Sequence, residues 1–219
     1  MLHELLNALE ETLFMVFSSG LLTLLLGLPL GILLAITHPN QSLANSTLAN
    51  SWLHKSLSAL IHVCCSIPYV ILMIALIPFT KNLYSSISSS DNHCIFALIP
   101  LTLATLPLFA HLCGKAISDI PSTLTEVFIS MGATPKQILF KVLLPESFAN
   151  IMQNFLTTLN HLVGYSVIAG VLGCGGLGQL ILEKASVFQF SGFLVIACSL
   201  IAIVLLIQRI GGYLIGVRN

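Results

Sequence analysis

The chain has 219 residues, 56% hydrophobic and only 7% charged, with a mean hydropathy of +0.99. Soluble domains carry about 25% charged residues, so this composition describes an integral membrane protein with no room for a separate nucleotide-binding or catalytic domain. Eight basic and eight acidic side chains sum to a formal charge of zero, which excludes the basic footprint of a nucleic-acid binder.

Taken in order, residues 1–11 read as a short amphipathic surface helix bearing Glu4, Glu10 and Glu11. Three acids with no Lys or Arg are the wrong sign for the start of a secretory signal. Between Thr12 and His54 there is no Asp, Glu, Lys or Arg. About 20 apolar residues cross a bilayer core, so a first span is expected at about 12–37. Gly27, Pro29 and Gly31 within it suggest a kink or a close helix approach. Residues 40–54 form a polar connector. A second span follows at 57–80, broken by Pro68 and Pro78, and the serine-rich stretch Lys81–His93 is a loop. A third covers 94–114 and contains Pro100 and Pro107. The fourth is placed at 148–172, followed by a glycine-rich loop, and the fifth at 189–213. The expected fold class is therefore an all-α membrane protein with five spanning helices in a single domain, 1–219, and a loop at 115–146. With five spans the ends lie on opposite sides. Lys55, Lys115, Lys136, Lys141, Arg209 and Arg218 fall on one side, against Lys81 and Lys184 on the other. Basic residues favour the cytoplasm, which puts the 115–146 loop and the C-terminus inside and the N-terminus outside.

The polar run Glu126–Pro145 is rich in helix punctuation. Gly132 can end a helix in the left-handed region. Thr134 sits where an N-cap would, with Pro135 at the first helical position and Gln137 three residues after the cap. Pro145 is expected to stop the helix it follows. Two short helices joined by a sharp bend result, a shape suited to carrying a push. Glu126 also fits an N3 carboxylate in a capping box with Thr123. Lys136 and Lys141 are most simply positive-inside anchors.

Glu126, Gly132 six residues on, and Val142-Leu143-Leu144-Pro145 after nine intervening residues resemble the coupling loop of ABC-importer permeases. The departures are Val127 and Phe128, which replace two alanines of the family pattern, and Val142 in place of Ile. Val163-Gly164-Tyr165-Ser166, Gly173-Cys174-Gly175-Gly176-Leu177-Gly178-Gln179 and Gly132-Ala133-Thr134-Pro135 resemble the methionine-importer permeases in particular. Ser66-Ile67-Pro68-Tyr69 and Pro100-Leu101-Thr102 do so as well. The resemblance covers essentially the whole chain and implies the type I permease fold. It also implies a homodimer around a central path in the inner membrane of a bacterium. Two ATP-binding subunits would dock at the cytoplasmic face, with ATP and Mg held by them and no cofactor on this chain, and an extracytoplasmic binding protein would deliver methionine. Residues implied to meet the ATPase are Glu126, Gly132, Ala133, Thr134, Pro135, Lys136, Val142, Leu144 and Pro145.

Candidates for pathway or gating are Asn160, His161, Tyr165, Ser166 and Gly170, because polar groups at membrane depth usually face a bundle interior or a watery path. A packed, hydrogen-bonded His161 is an equal alternative. Small residues at Ser166, Ala169 and Gly170 would also let helices approach closely. The glycines after them would suit a turn with positive φ that bends during transport. The spans hold no carboxylate, so energy must come from a partner rather than from a proton relay. Two other functional readings remain: a permease for another amino acid or small organic solute, and a self-contained channel or carrier. An intramembrane enzyme lacks support, because no Ser-His or His-carboxylate spacing links Ser66, Ser166 and His161. No metal or catalytic residue is assigned. The six cysteines form no C-x-x-C pair and read as small apolar filler.

Overall fold

The computed structural model describes residues 2–37, 51–85, 94–186 and 190–216. Among the described residues the secondary structure is helical throughout, with no strand. A bilayer demands this, because backbone groups in hydrocarbon must be satisfied within the segment. Among the described residues four helices are long and apolar enough to cross, which makes five spans if one sharply bent pair counts as a further span. The polar connector and the serine-rich loop lie mostly outside the described residues.

Helix α1 runs unbroken over Leu2–Ile36. At 1.5 Å per residue it is roughly 52 Å long, well beyond the bilayer core. The separate surface helix expected at 1–11 is instead the first third of α1. Nothing between Leu2 and Thr12 interrupts the helix, and Leu5, Ala8 and Leu9 pack on a core they share with Met15 and Val16. Pro29 sits inside α1 without ending it.

Helix α2, Ser51–Ser66, and α3, Tyr69–Ser85, meet at an 86° bend around Ile67-Pro68. Pro68 lacks the N–H that would continue α2. Pro78, expected to break the same span, lies within α3. The Tyr69 hydroxyl donates to the Tyr165 carbonyl oxygen at 3.1 Å, and the two rings stack at 4.0 Å. The bend is thereby pinned to the fourth apolar segment.

Helix α4, Cys94–Ser118, passes through Pro100 and Pro107. Its packing on α1 explains the glycines of the first span. A Cβ on Gly27 would stand 2.7 Å from Phe109, and one on Gly31 would stand 2.9 Å from the Ala110 carbonyl oxygen. Bare backbone lets these helices come close. Thr23 and Thr105 hydrogen-bond across the seam at 2.9 Å.

After α4 come α5 (Ser122–Ser130), α6 (Pro135–Ile138), α7 (Leu144–Ala169), α8 (Gly176–Ser186) and α9 (Phe190–Gly216). α8 occupies the stretch expected to be loop. Two apolar cores lie at opposite ends of α1. One joins its N-terminal half to α7, α8 and α9. The other joins Ala35 to Phe109, Ile117, Ile138 and Leu143. Cys113 and Cys174 fill these cores, whereas Cys64, Cys65 and Cys198 are exposed on the subunit surface.

Gly31→Ala should destabilise the subunit by about 1–3 kcal/mol, because the added methyl meets backbone that cannot rotate away. Gly212→Ala, which meets nothing within 4 Å, should be neutral or stabilising by up to about 1 kcal/mol. Thermal unfolding in detergent measures both.

Candidate functional site

The loop read as two helices and a bend is an elbow with unequal arms. α5 ends in the geometry of a Schellman motif. Gly132, at φ +81°, donates its N–H to the Ile129 carbonyl at 2.9 Å. Ala133 donates to the Phe128 carbonyl at 3.0 Å, and both residues pack on the core beneath. The bulky Phe128 that replaces alanine is thus absorbed by that core. Thr134 caps α6 in a complete capping box: its hydroxyl accepts from the Gln137 N–H, and its own N–H donates to Gln137 Oε1 at 2.9 Å. Pro135 follows at the start of α6.

The second arm corrects an expectation. Pro145 does not stop a helix; the chain is helical without a break from Pro135 to Ala169. Residues Leu139–Leu143 wind as a π-turn, in which Leu144 donates to the Leu139 carbonyl five residues back. That register relaxes the demand for the amide proton proline lacks. α7 therefore begins with Pro145 in its first turn, with Val142 and Leu144 half-buried below it.

Glu126 is corrected as well. Pro121 (φ −57°, ψ 133°) is the N-cap of α5 and makes no side-chain cap bond. The helix therefore starts early enough to put Thr123 inside its first turn, and Glu126 is not at N3. Glu126 and Lys136 are exposed, as are Met131 (76%) and Phe140 (64%). Ile138, Leu139 and Leu143 are buried against Ile117, Phe109 and Ala35. One face of the elbow is welded to α1 and α4, and the other presents bare apolar side chains.

α7 carries the pathway candidates, and the structure separates them into two faces. His161 is exposed and Asn160 half-buried, and Tyr165 is half-buried beneath Tyr69. His161 is therefore not packed within the subunit. The Asn160 Oδ1 atom is buried without a hydrogen-bond partner among the described residues. Ser166 and Gly170 lie on the other side. Ser166 is buried and donates to the Val163 carbonyl at 2.8 Å. A Cβ on Gly170 would stand 2.7 Å from the Gly178 Cα, so Gly170 is where α8 folds back on α7. Gly164 meets nothing within 4 Å.

The exposed face was legible in the spacing but was missed. Asn150, Gln153, Thr157, His161 and Gly164 recur every three or four residues and all are exposed. They make a polar stripe on a helix of membrane-crossing length. α1 differs: its exposed residues there include Phe14, Phe17, Leu21, Leu25 and Leu33. Beyond the stripe, the chain turns at Gly173, Gly175 and Gly176, all at positive φ.

Comparison with known proteins identifies this arrangement. The family model described as the inner membrane component of binding-protein-dependent transport systems matches residues 27–215. The chain belongs to this family. The probable D-methionine transport system permease protein MetI of Vibrio cholerae is 36% identical over 212 residues, 96% of this chain and 90% of that protein. Its counterpart in Escherichia coli K12, the D-methionine transport system permease protein MetI, is 38% identical over 170 residues, 78% and 74% of the two chains. Among solved structures, a chain of the MetNI methionine ABC transporter in an inward-facing form superposes with a TM-score of 0.88 at 35% identity. The match covers 100% of this chain and 98% of that one. An amino-acid ABC transporter solved with histidines matches at TM-score 0.76 and 16% identity, which speaks for the fold alone. The fold is that of a type I ABC-importer permease.

Thr134→Ala should cost about 1 kcal/mol of local stability through the lost cap, and Gly132→Ala about 1–2 kcal/mol through left-handed strain. Amide exchange over Ala133–Ile138 should quicken in both. Thr123→Ala, at the site where no capping box forms, should leave it unchanged.

Proposed function

We propose that this chain is the permease subunit of an ATP-driven methionine importer in a bacterial inner membrane, with hydrolysis carried out by a separate ATPase. Two copies enclose the path. Each copy docks one ATP-binding subunit at Glu126–Pro145, and a binding protein delivers solute from outside. ATP and Mg belong to the ATPase partners, and this chain contributes no catalytic group. The observation that carries the reading is the elbow. Its exposed Met131 and Phe140 offer a partner an apolar grip, while its buried side and its helical continuity into α7 transmit what that grip receives.

Residues for ATPase contact are Glu126, Met131, Gly132, Ala133, Thr134, Pro135, Lys136, Phe140, Val142, Leu144 and Pro145. Of these, Val142 and Leu144 act from beneath as support. Lys115, Lys136 and Lys141 sit at the elbow end of the molecule and Lys184 at the other. Positive-inside bias therefore favours a cytoplasmic elbow, an external N-terminus and a cytoplasmic C-terminus.

The polar stripe on α7 is the solute-facing wall: Asn150, Gln153, Thr157, Asn160 and His161, with Tyr165 at its edge. Polar side chains at membrane depth are stable where they meet water or protein partners rather than lipid. Amide, hydroxyl and imidazole groups without a carboxylate suit a solute of no net charge, such as a zwitterion with an apolar side chain. Nucleotide-bound ATPase subunits that prefer one form of the permease shift it between inward and outward access.

Vesicles holding the permease, its ATPase and the binding protein should accumulate methionine only with ATP. Gly132→Pro should abolish uptake, and normal uptake in that variant contradicts the coupling role. Cysteines placed at Gln153 and Thr157 should react with a charged, water-soluble thiol reagent far faster than one at Ile201, which is exposed on the apolar face of α9. Equal protection at all three would exclude a watery stripe.

A further inference from the structure

The mechanism assigned so far concerns the elbow and α7, but two short long-range hydrogen bonds lie at the opposite end. Glu11 Oε2 accepts from the Gly176 N–H at 2.6 Å, and Thr12 Oγ1 accepts from the Leu177 N–H at 2.9 Å. These are the first two amides of α8, groups that no intrahelical carbonyl can satisfy. The carboxylate meets the positive end of the α8 dipole through a charge-assisted bond. Thr12 is buried and uses its hydroxyl twice, donating its proton to the Ala8 carbonyl at 2.8 Å. A Cβ on Gly176 would stand 2.8 Å from that hydroxyl and 2.9 Å from Met15.

Two turns further along, Lys184 pairs with Glu4 at 3.5 Å. Glu11 lies against Gly176 and Glu4 against Lys184, so α8 runs antiparallel along the first third of α1.

The link from α8 to α7 is of another kind. Gly173, Gly175 and Gly176 all hold positive φ, and a Cβ on Gly173 would meet nothing. Where α7 and α8 touch, Gly170 faces Gly178 backbone to backbone, and Leu177 shares a buried apolar core with Leu162, Val163 and Ala169. The polar attachment of α8 is thus to α1, and its contact with α7 is apolar and backbone to backbone.

We propose that Glu11 and Thr12 are positioning residues for transport. They cap α8 from α1, so that α1 and α8 move as one body through the transport cycle. This role presupposes the importer assigned above, but the first measurement below does not.

In a variant with its six native cysteines replaced, Glu4→Cys and Lys184→Cys are joined by a short bifunctional thiol reagent in the assembled complex. The cross-link yield should be the same with ATP, with a trapped nucleotide and with none. A yield that falls in one nucleotide state overturns the proposal, whatever solute is carried. In vesicles, the cross-linked complex should keep its methionine uptake, and loss of uptake on cross-linking also overturns it. Glu11→Ala combined with Thr12→Val should lower uptake per ATP hydrolysed about tenfold, the scale of one charged hydrogen bond. Thr12→Ser should keep the wild-type ratio. Cross-linking residues 4 and 184 in the double variant should restore most of the coupling, which repair of a general folding defect would not do. A double variant with an unchanged ratio shows the cap to be idle, and one that the cross-link fails to rescue shows it to be merely structural.

Discussion

Helical continuity from the elbow into α7 is the constraint on which the rest depends. A proline in the first turn of α7 would ordinarily end the preceding helix, and the elbow would then hang from a hinge. Here the π-turn Leu139–Leu143 hands its hydrogen bonds back five residues instead of four and carries the chain through Pro145. A force applied near Met131 or Phe140 meets a stiff rod. The core of Ile138, Leu139 and Leu143 against Ile117 and Phe109 keeps that rod seated on α4. The Asn154 amide adds a polar tie, donating to the Leu112 carbonyl at 3.0 Å.

The two ends of α7 are built to opposite specifications. At the elbow, a Schellman motif and a capping box fix every turn of backbone between α5 and α6. At the far end three left-handed glycines turn the chain into α8, which is tied to α1 by polar contacts and packed backbone to backbone on α7. α1 and α4, joined backbone to backbone through Gly27, Gly31 and Gly114, form the frame against which α7 can move.

Much of this was legible in the sequence, and the misses have physical causes. Gly132, Thr134, Pro135 and Gln137 act locally, within one turn of chain, so their pattern alone specified the elbow. Pro145 misled because its effect depends on the register of the residues before it, which no local rule supplies. Residues 1–11 and α8 were misjudged together. Each looks marginal alone, and each is helical because it packs on the other, across 165 residues of sequence. Glu11 looked like one more surface acid, since nothing nearby in sequence hints that it caps a distant helix. The stripe from Asn150 to Gly164 could have been found by spacing. Ser166 and Gly170 belong to the glycine motif that follows it, and both are buried, Gly170 against α8, rather than on the open side of the helix.

The most direct measurement places spin labels at Lys136 on the elbow and at Thr157 on α7 of one copy in the assembled transporter, and follows their separation through the nucleotide cycle. A continuous lever keeps that distance constant, while the distance between Thr157 positions in the two copies changes with nucleotide. If instead the distance from 136 to 157 changes with nucleotide and α7 stays still relative to its mate, the elbow flexes on its own. The lever account would then be wrong.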